Sequence, residues 1–293
     1  MNNKVTVFAM TEKGHTVLKS ILPNYKNNVE IVIGSRDTQI QKDFYSEIKS
    51  LCEYHSTKFI DKKEFISINT KYALAISWRW MINTDDKVLI VFHDSLLPRY
   101  RGFNPLVSAL INSEQKIGVT ALLATSEYDK GDIITQSVTQ IEYPIKIQAA
   151  ITKILKNYQE TCLYVMEKII NDDHFIVIPQ DEKKATYSLW RDDEDYRINW
   201  NHSSIELKRF IDAVSYPYKG ASTILNGNLV RILEAEIVKD VVIENRTPGK
   251  VIFVENDHPI VVCGEGLLKI IEMIDDQTKT SLSPVKNFRI RFL

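Results

Sequence analysis

The chain has 293 residues, 44% of them hydrophobic, which is enough apolar material for one large or two modest domains. Its 37 basic and 38 acidic residues give a formal net charge of -1, which argues against an affinity that depends on neutralising many phosphates. The three cysteines, Cys52, Cys162 and Cys263, are odd in number and far apart, so we expect a reducing compartment and no disulfide framework. With no signal peptide and no apolar run of ~20 residues, the sequence predicts a soluble cytoplasmic protein.

The first part of the chain alternates strand and helix patterns. Helices are predicted from Gly14 through Leu22, over 44–52 and over 147–170, where apolar residues recur at helical spacing. Apolar runs predict strands at 5–10, 29–34, 59–60, 72–77, 88–92 and 117–123. This alternation predicts an α/β domain over residues 1–180 with a doubly wound, mostly parallel sheet covered on both faces.

The composition and the hydrophobic pattern of the chain change after Pro179. Residues 181–200 are polar and charged and are predicted to be a linker. A helix is expected over 205–214, and the short strand patterns that follow it lie at 221–225, 230–235, 249–254, 260–263 and 267–271. Asn226-Gly227 between the first two is a strong hairpin signal. Residues 201–293 are therefore predicted to form a small open β-barrel of the OB type.

The most informative stretch runs from Phe92 to Asp132. His93 is followed by a turn, a helical pattern, the 117–123 strand and then Asp129. This order can bring one imidazole against one carboxylate, which is a common unit for proton transfer. We expect the two side chains to meet at the carboxyl ends of adjacent strands, where ligands bind in open parallel sheets.

The same stretch resembles the folate-dependent formyltransferases. The resemblance rests on His-x-Ser-Leu-Leu-Pro-x-x-Arg-Gly at 93–102, Gly-Val-Thr at 118–120 and Asp-x-Gly-x-Ile at 129–133. It is clearest from Ala73 to Gln136, and weaker blocks at 191–200, 216–221 and 248–251 resemble the C-terminal domain of that group. The group includes glycinamide ribonucleotide, methionyl-tRNA and sugar-nucleotide N-formyltransferases.

The resemblance implies N10-formyltetrahydrofolate as the formyl donor, with His93 and Asp129 as the catalytic pair. The family carries an asparagine two residues before the histidine, where this chain has Val91. Valine offers no side-chain donor to the oxyanion that develops when an amine attacks the formyl carbon. Ser95, Asn104 or a backbone N–H are the candidate substitutes, and the sequence does not choose among them.

The resemblance places the folate against the segment after the 72–77 strand and against the loop before Asp129. The residues assigned to the cofactor are Trp78, Arg79, Trp80, Met81, Leu96, Thr125, Ser126 and Tyr128. Aromatic rings and an arginine suit a flat ring with a carboxylate tail. The alternative is a pair of core tryptophans flanking an arginine with no role in binding.

The acceptor is predicted to be a nucleotide-linked amino sugar, because a methionyl-tRNA enzyme should be basic and a glycinamide ribonucleotide enzyme should lack the second domain. Its assigned residues are Arg99, Arg101, Tyr187, Trp190 and Tyr218, with Arg191 beside them. Solvated charge is the alternative for the two arginines before Gly102. Methionyl-tRNA formylation, a catalytically weak folate- or sugar-binding relative and a formate-releasing hydrolase are the other functions considered. No metal site, nucleic acid or membrane partner is expected, and a homodimer is left open.

Overall fold

The computed structural model of the protein describes residues 3–38, 40–84, 86–285 and 288–293. Asp85, predicted to lie in a surface turn, and Lys286, the first basic residue of the C-terminal tail, lie outside the described residues. The chain divides into two compact units. The first contains residues up to Leu106, Gln115–Ile141 and Ala150–Leu189, and the second contains Val107–Glu114, Glu142–Ala149 and Trp190–Leu293.

The first part of the chain supplies nine strands and four helices among the described residues. In chain order they are β1 (Val5–Ala9), α1 (Thr11–Tyr25), β2 (Val29–Gly34), α2 (Tyr45–Tyr54), β3 (Phe59–Asp61), β4 (Tyr72–Ile76), β5 (Val88–His93), β6 (Arg101–Gly102), α3 (Pro105–Ile111), β7 (Lys116–Leu123), β8 (Ile133–Gln140), α4 (Ile147–Ile170) and β9 (Tyr187–Ser188). Seven strands form one sheet in the order β3-β2-β1-β4-β5-β7-β8, and β6 pairs with β9 separately.

The large sheet is mostly parallel, as predicted. β3, β2, β1, β4 and β5 are parallel neighbours, whereas β7 is antiparallel to β5 and β8 is antiparallel to β7. The expectation that His93 and Asp129 meet at the carboxyl ends of adjacent strands is therefore wrong, because the carboxyl ends of β5 and β7 lie at opposite edges of the sheet. In the register of β5 and β7, Leu123 at the end of β7 lies opposite Ile90 rather than opposite His93.

The central strand of this sheet is buried, which explains why its sequence is mostly apolar. Every residue of β1 is buried, and α1 buries its Val17, Leu18, Ile21 and Leu22 face. α1 packs against β1 and α2. A strand that is covered on both faces is mostly apolar, and the one polar residue of β1, Thr6, is buried with its hydroxyl 2.8 Å from that of Thr70.

The second unit is built on an antiparallel sheet. Its further elements are α5 (Ser204–Ala213), β10 (Ala221–Leu225), β11 (Asn228–Val238), β12 (Val251–Glu255), β13 (His258–Val262) and β14 (Leu267–Asp275). The strands lie in the order β10-β11-β14-β13-β12. The predicted hairpin is confirmed, because Leu225 pairs with Asn228 and both Asn226 and Gly227 have positive φ, as a two-residue turn of this type requires.

The C-terminal segment joins the two edges of this sheet. At the β10 edge, Ile224 N donates to Leu293 O at 2.9 Å, and Leu293 N donates to Ile224 O at 3.0 Å. At the β12 edge, Val251 N donates to Ile290 O at 3.1 Å. Because the same short segment hydrogen-bonds both edge strands, the sheet is bridged into a small barrel. Phe292 is buried in this bridge and lies 5.6 Å from the Trp200 ring.

The stretch predicted as a linker, residues 181–200, is divided between the two units. The sequence predicted a linker from residue 181, whereas residues up to Leu189 belong to the first unit. Residues 187 and 188 form β9, which pairs in parallel with β6. None of the described helices is both long and apolar enough to cross a membrane.

Candidate active site

His93 is the last residue of β5, at the carboxyl edge of the parallel part of the sheet. Ile76 at the end of β4 pairs with Phe92, so the segment that follows β4 emerges beside His93. The imidazole is buried, and its Nε2 lies 2.8 Å from the carbonyl oxygen of Tyr100. A carbonyl only accepts hydrogen bonds, so Nε2 carries the hydrogen in this arrangement.

Asp129 reaches His93 because the loop between β7 and β8 folds back over the sheet. Leu123 N donates to Asp132 O at 3.0 Å, which closes this loop at its base. A Cβ atom on Gly131 would lie 1.6 Å from Leu123 O, so only glycine permits the fold-back. Asp129 itself has a φ of 55°, a left-handed conformation that aspartate and asparagine tolerate better than most residues.

The two side chains meet. Asp129 Oδ1 lies 3.5 Å from His93 Nδ1, and Asp129 Oδ2 accepts a hydrogen bond from Gly102 N at 2.8 Å. The first distance is long for a hydrogen bond, as is common for catalytic contacts without substrate. With a carboxylate on one side and a carbonyl on the other, only the doubly protonated ring can donate on both sides.

Val91 forms part of an apolar floor next to the pair. It lies two residues before His93 on β5, so both side chains point to the same face of the sheet. It packs against a buried cluster of Leu97, Leu122 and Ile133. The position that the resemblance assigns to an asparagine is thus surrounded by hydrocarbon on the protein side.

The two candidate substitutes for the missing donor differ in their surroundings. The Ser95 hydroxyl is buried and donates to Arg99 O at 2.7 Å, so it already serves the turn after β5. Asn104 is half-buried with a φ of 47°, two residues after the Gly102 amide that binds Asp129. Of the two, Asn104 has the side chain that is not committed to the 95–99 turn.

The tryptophan segment after β4 is partly structural. Trp78 packs against the Phe8 core cluster with its ring 5.0 Å from the Phe8 ring, as the core alternative predicted. Arg79 forms an ion pair with the buried Asp37 at 2.6 Å. Trp80 is 38% exposed and carries Lys62 Nζ 3.3 Å from its ring centroid, and Met81 is exposed. Of these residues, Trp80 and Met81 present apolar surface to solvent.

The other residues assigned to the folate lie on the loops that frame His93. Leu96 is half-buried and lies over Gly118, where a Cβ would approach it to 2.7 Å. Thr125, Ser126 and Tyr128 are exposed on the loop that carries Asp129. The Tyr128 ring lies 5.9 Å from that of Phe103, a residue that the sequence analysis did not assign.

Arg101 is neither solvated nor open to a ligand, contrary to both expectations for it. Its side chain is fully buried, and Nη2 lies 2.7 Å from Glu182 Oε1 and 2.9 Å from Gln180 Oε1. The hydrogen bond with Glu182 raises the pKa of Arg101 and lowers the pKa of Glu182. Arg99 is exposed, with its guanidinium 5.0 Å from the Tyr100 ring.

The predicted aromatic wall is divided between the two units. Tyr187 belongs to the first unit, where its ring lies 5.9 Å from the Arg101 guanidinium and is largely exposed. Trp190 and Tyr218 belong to the second unit. Trp190 is exposed and Tyr218 is half-buried there.

Several residues around the pair were missed by the sequence analysis. Gln180 donates through Nε2 to Asp129 O and Gly131 O, both at 2.7 Å. Thr120 Oγ1 donates to Ser95 O at 2.6 Å and accepts from Leu97 N and from Gln136 Nε2. The only signal for Thr120 was its place in the Gly-Val-Thr block, and Gln180 had none.

The residue after His93 belongs to a separate network. Asp94 binds Lys13 of α1 and the hydroxyl of the buried Tyr158 of α4. It therefore anchors the end of β5 to two helices. Across the described ranges, no group of three or more His, Cys, Asp or Glu side chains is arranged to hold a metal ion.

Comparison with known proteins connects this site to a family. Residues 61–165 match the family described as formyl transferase, and residues 191–288 match the formyl transferase C-terminal domain. The chain belongs to the formyl transferase family. The first match contains β5, β7, β8 and the His93–Asp129 pair, and the second contains the whole antiparallel sheet.

Two kinds of formyl transferase relative are similar to the chain. The methionyl-tRNA formyltransferase of Alkaliphilus oremlandii is 29% identical over 184 residues, which is 62% of this chain and 57% of that protein. The chain spans little more than half the length of the first curated relatives that it matches.

Two solved structures match over nearly their whole length. WlaRD, a sugar 3N-formyl transferase solved in the presence of dTDP and 5-N-formyl-THF, has a TM-score of 0.65 at 19% identity, over 97% of this chain and 99% of that one. The Helicobacter canadensis N-formyltransferase, in complex with folinic acid and dTDP-3-aminofucose, has a TM-score of 0.65 at 18% identity, over 91% and 98%. At these identities the likeness establishes the fold alone.

Proposed function

We propose that the protein transfers a formyl group from N10-formyltetrahydrofolate to the amine of a nucleotide-linked amino sugar. The observation that carries the proposal is the contact between His93 and Asp129, in a chain of the formyl transferase family. An imidazole and a carboxylate in direct contact beside the open edge of a parallel sheet can hold and move the proton that such a transfer releases.

The proton transfers that the reaction requires give His93 and Asp129 different roles. The attacking amine forms a C–N bond with the formyl carbon, and the C–N bond to the folate nitrogen then breaks. Overall one proton leaves the amine and one is added to the folate nitrogen. Asp129 is the acceptor for the first proton, and a protonated His93 stabilises the negative charge that develops on the formyl oxygen.

One feature of the site constrains this role of His93. Its Nε2 hydrogen now points at Tyr100 O, so the formyl oxygen must share that hydrogen or displace the carbonyl from it. Val91 supplies no side-chain donor, and the half-buried Asn104 is the remaining side-chain candidate among those the sequence offered.

The residues present suit a reduced pterin with a glutamyl tail. Trp80 and Met81 present exposed apolar surface after β4, and Tyr128 does so on the Asp129 loop. The segment after β4 emerges at the same edge of the sheet as His93, and the other segment carries Asp129, which contacts His93. Arg79 is tied to Asp37, so we assign it to shaping the segment and not to pairing with the glutamyl carboxylates.

Charge favours a small acceptor over a transfer RNA. A protein that grips an acceptor stem needs a basic surface, and the formal net charge here is -1. Methionyl-tRNA formylation stays the second candidate, because the curated relatives at 29–31% identity carry that name. Solved structures that match over more than nine-tenths of their length include both WlaRD, a sugar 3N-formyl transferase, and the methionyl-tRNA formyltransferase of Clostridium thermocellum, so the preference for the first candidate rests on charge.

A direct competition of acceptors tests the proposal. The purified protein is incubated with formyl-labelled N10-formyltetrahydrofolate and with dTDP-linked 3-amino and 4-amino sugars, UDP-linked amino sugars or initiator methionyl-tRNA. Label is expected on a sugar amine and not on the tRNA. Comparable formylation of the tRNA would move the proposal to the second candidate. Release of labelled formate without any amine would indicate a hydrolase, and no turnover would indicate a binding relative.

A further inference from the structure

The segment after α4 does more than connect the two units. Within the first unit, residues 180–188 run beside residues 98–103, which follow His93. Arg101 N donates to Thr186 O at 2.9 Å, and Phe103 N donates to Ser188 O at 3.0 Å. The Thr186 hydroxyl accepts from Tyr100 N at 2.8 Å. We refer to residues 180–188 as the strap.

The strap holds the part of the backbone that binds both members of the pair. His93 Nε2 donates to Tyr100 O, and Asp129 Oδ2 accepts from Gly102 N. Both partners lie in the 98–103 segment that the strap pairs with. A shift of this segment would therefore change the hydrogen bonds of the imidazole and of the carboxylate together.

Gln180 ties the strap to the Asp129 loop as well. Its Nε2 donates to Asp129 O and to Gly131 O at 2.7 Å each, and its Oε1 accepts from Arg101 Nε at 3.1 Å and Nη2 at 2.9 Å. The side-chain amide of Gln180 is thus engaged at both ends, by the Asp129 loop through its nitrogen and by Arg101 through its oxygen. The two carbonyls flank the left-handed turn at Asp129, whose backbone orientation sets the direction of the carboxylate.

We propose that Gln180 is a positioning residue for the formyl transfer, which holds Asp129 in reach of His93 through the backbone of the Asp129 loop. The inference rests on the proposed function. Arg101 supports this role, because its buried guanidinium donates to the Gln180 side-chain oxygen and is itself paired with Glu182. A misplacement of about 1 Å at such a pair can cost on the order of 10²-fold in rate.

A substitution that removes one half of the amide tests this role. Gln180→Glu keeps an acceptor for Arg101 but places an oxygen against the carbonyls of Asp129 and Gly131. Gln180→Leu removes both halves. The matched control is Asn157→Asp, which likewise exchanges a donor for an acceptor in a buried amide, since Asn157 donates to Ser137 Oγ at 2.6 Å and accepts from Thr139 Oγ1 at 2.9 Å. Asn157 touches neither loop in those bonds.

Two readouts separate positioning from a structural role. The first is the steady-state kinetics of formyl transfer, with kcat expected to fall at least about tenfold in Gln180→Glu while KM for the folate stays within about twofold. The second is hydrogen exchange of the Gly102 amide, followed by NMR with ¹⁵N-glycine, which is practical because the chain has only ten glycines. Exchange at Gly102 should accelerate in both Gln180 variants and stay unchanged in Asn157→Asp.

The outcomes are distinct from those of the proposed function. If Gln180→Glu kept kcat within about twofold of the wild type, or if Gly102 exchange were unchanged, Gln180 would not position Asp129. Should Gln180→Leu fail to fold, Gln180→Glu still decides, since it preserves the Arg101 contact. A wild-type protein that formylates no amine would refute the proposed function, whereas the Gly102 exchange would still show whether Gln180 holds the loop.

Discussion

The backbone amide of Gly102 donates a hydrogen bond to Asp129 Oδ2 at 2.8 Å, while Asp129 Oδ1 faces His93 Nδ1 at 3.5 Å. One carboxylate oxygen is thus fixed by the main chain, and the other is left for the imidazole. Gly102 has a φ of 97°, and a Cβ there would lie 2.6 Å from Ser188 O. Glycine is therefore required at position 102 of the motif, because its amide must reach Asp129 in a left-handed conformation while Ser188 leaves no room for a Cβ atom.

We expect Asp129→Asn to lower formyl transfer by about 10²–10⁴-fold, the usual contribution of a general acid or base. Asparagine keeps the shape of the side chain and tolerates the left-handed φ of 55°, so the fold should be retained. Alanine at this position would add backbone strain to the loss of the carboxylate, and it is the poorer test for that reason.

Asp172→Asn is the matched control, because Asp172 has a φ of 56° in the turn two residues after α4. Its kcat should equal that of the wild type, as measured by labelled formyl transfer. His93→Gln should lose activity to a similar degree as Asp129→Asn. Near-normal turnover in either of these two variants would remove that residue from the mechanism.

Val91→Asn should destabilise the protein without lowering turnover. Val91 is partly buried and the new amide would lie against Leu97, Leu122 and Ile133, so the cost should stay below the about 1–3 kcal/mol of a fully buried unpaired polar group. If His93 carries most of the oxyanion stabilisation, the added donor leaves kcat unchanged or raises it. Denaturant unfolding and kinetics together check this, with Val91→Leu as the apolar control. A large fall in kcat at unchanged stability would instead mean that another donor already fills this space.

The Arg101–Glu182 pair should make stability depend on pH on the acid side. Hydrogen bonding from Arg101 lowers the pKa of Glu182 below its ordinary value of 4.5. A carboxyl group with a depressed folded-state pKa contributes stability above the unfolded-state pKa, and this contribution is lost as the pH falls through the folded-state pKa. Glu182→Gln should therefore lower the urea midpoint relative to wild type at pH 6, and this difference should shrink as the pH falls below about 4.5.

Glu167→Gln, which alters an exposed carboxylate on α4, is the control for this titration. Its midpoint should follow that of the wild type throughout. A constant difference between Glu182→Gln and wild type from pH 6 to pH 3 would show that the charge of Glu182 does not act through Arg101. Because Glu182 is mostly exposed, added salt should also reduce the difference at pH 6.

Phe292→Ala should open the barrel of the second unit. Phe292 is buried beside Trp200, and removing a buried phenylalanine side chain typically costs about 3–5 kcal/mol. Leu293→Ala is the matched control, because its side chain is exposed while its backbone hydrogen-bonds Ile224 at the β10 edge, and it should change stability by less than about 0.5 kcal/mol. Hydrogen exchange of residues 221–225 reports the opening. Equal effects of the two variants would contradict the bridging role of the segment.

The elements that the sequence predicted well are those with a strong period. The long helix over 147–170 and the strand at 221–225 have the predicted bounds. The direction of β7 was not predictable, because a strand pattern is the same in both orientations. β8 was missed, since its buried residues are confined to Ile133 and Ile134 at one end and every later residue of the strand except Val138 is polar.

The residues of the site could be predicted only where motifs of a few neighbouring residues identify them. His93 and Asp129 were recognisable from motif blocks that lie within 40 residues of one another in the sequence. The partners of Arg101 lie 79 and 81 residues away, so nothing near it in the chain distinguished a buried guanidinium from a solvated one. β6 and β9 are two residues each, too short for any periodicity, and their pairing could be seen only in the folded chain.

The salt dependence of turnover should separate the two acceptor classes without knowledge of the sugar. An enzyme that neutralises 6–10 phosphates of a nucleic acid loses about 10³–10⁵-fold in affinity between about 50 and 200 mM salt. A nucleotide-linked sugar offers only a diphosphate, so for a chain with a formal charge of -1 we expect kcat/KM to change by less than about tenfold over that range. Initial rates at several salt concentrations, with KM for the folate measured at each, check this. A steep loss on the best acceptor found would mean that many phosphates are contacted, and it would favour methionyl-tRNA while leaving the roles of His93 and Asp129 unchanged.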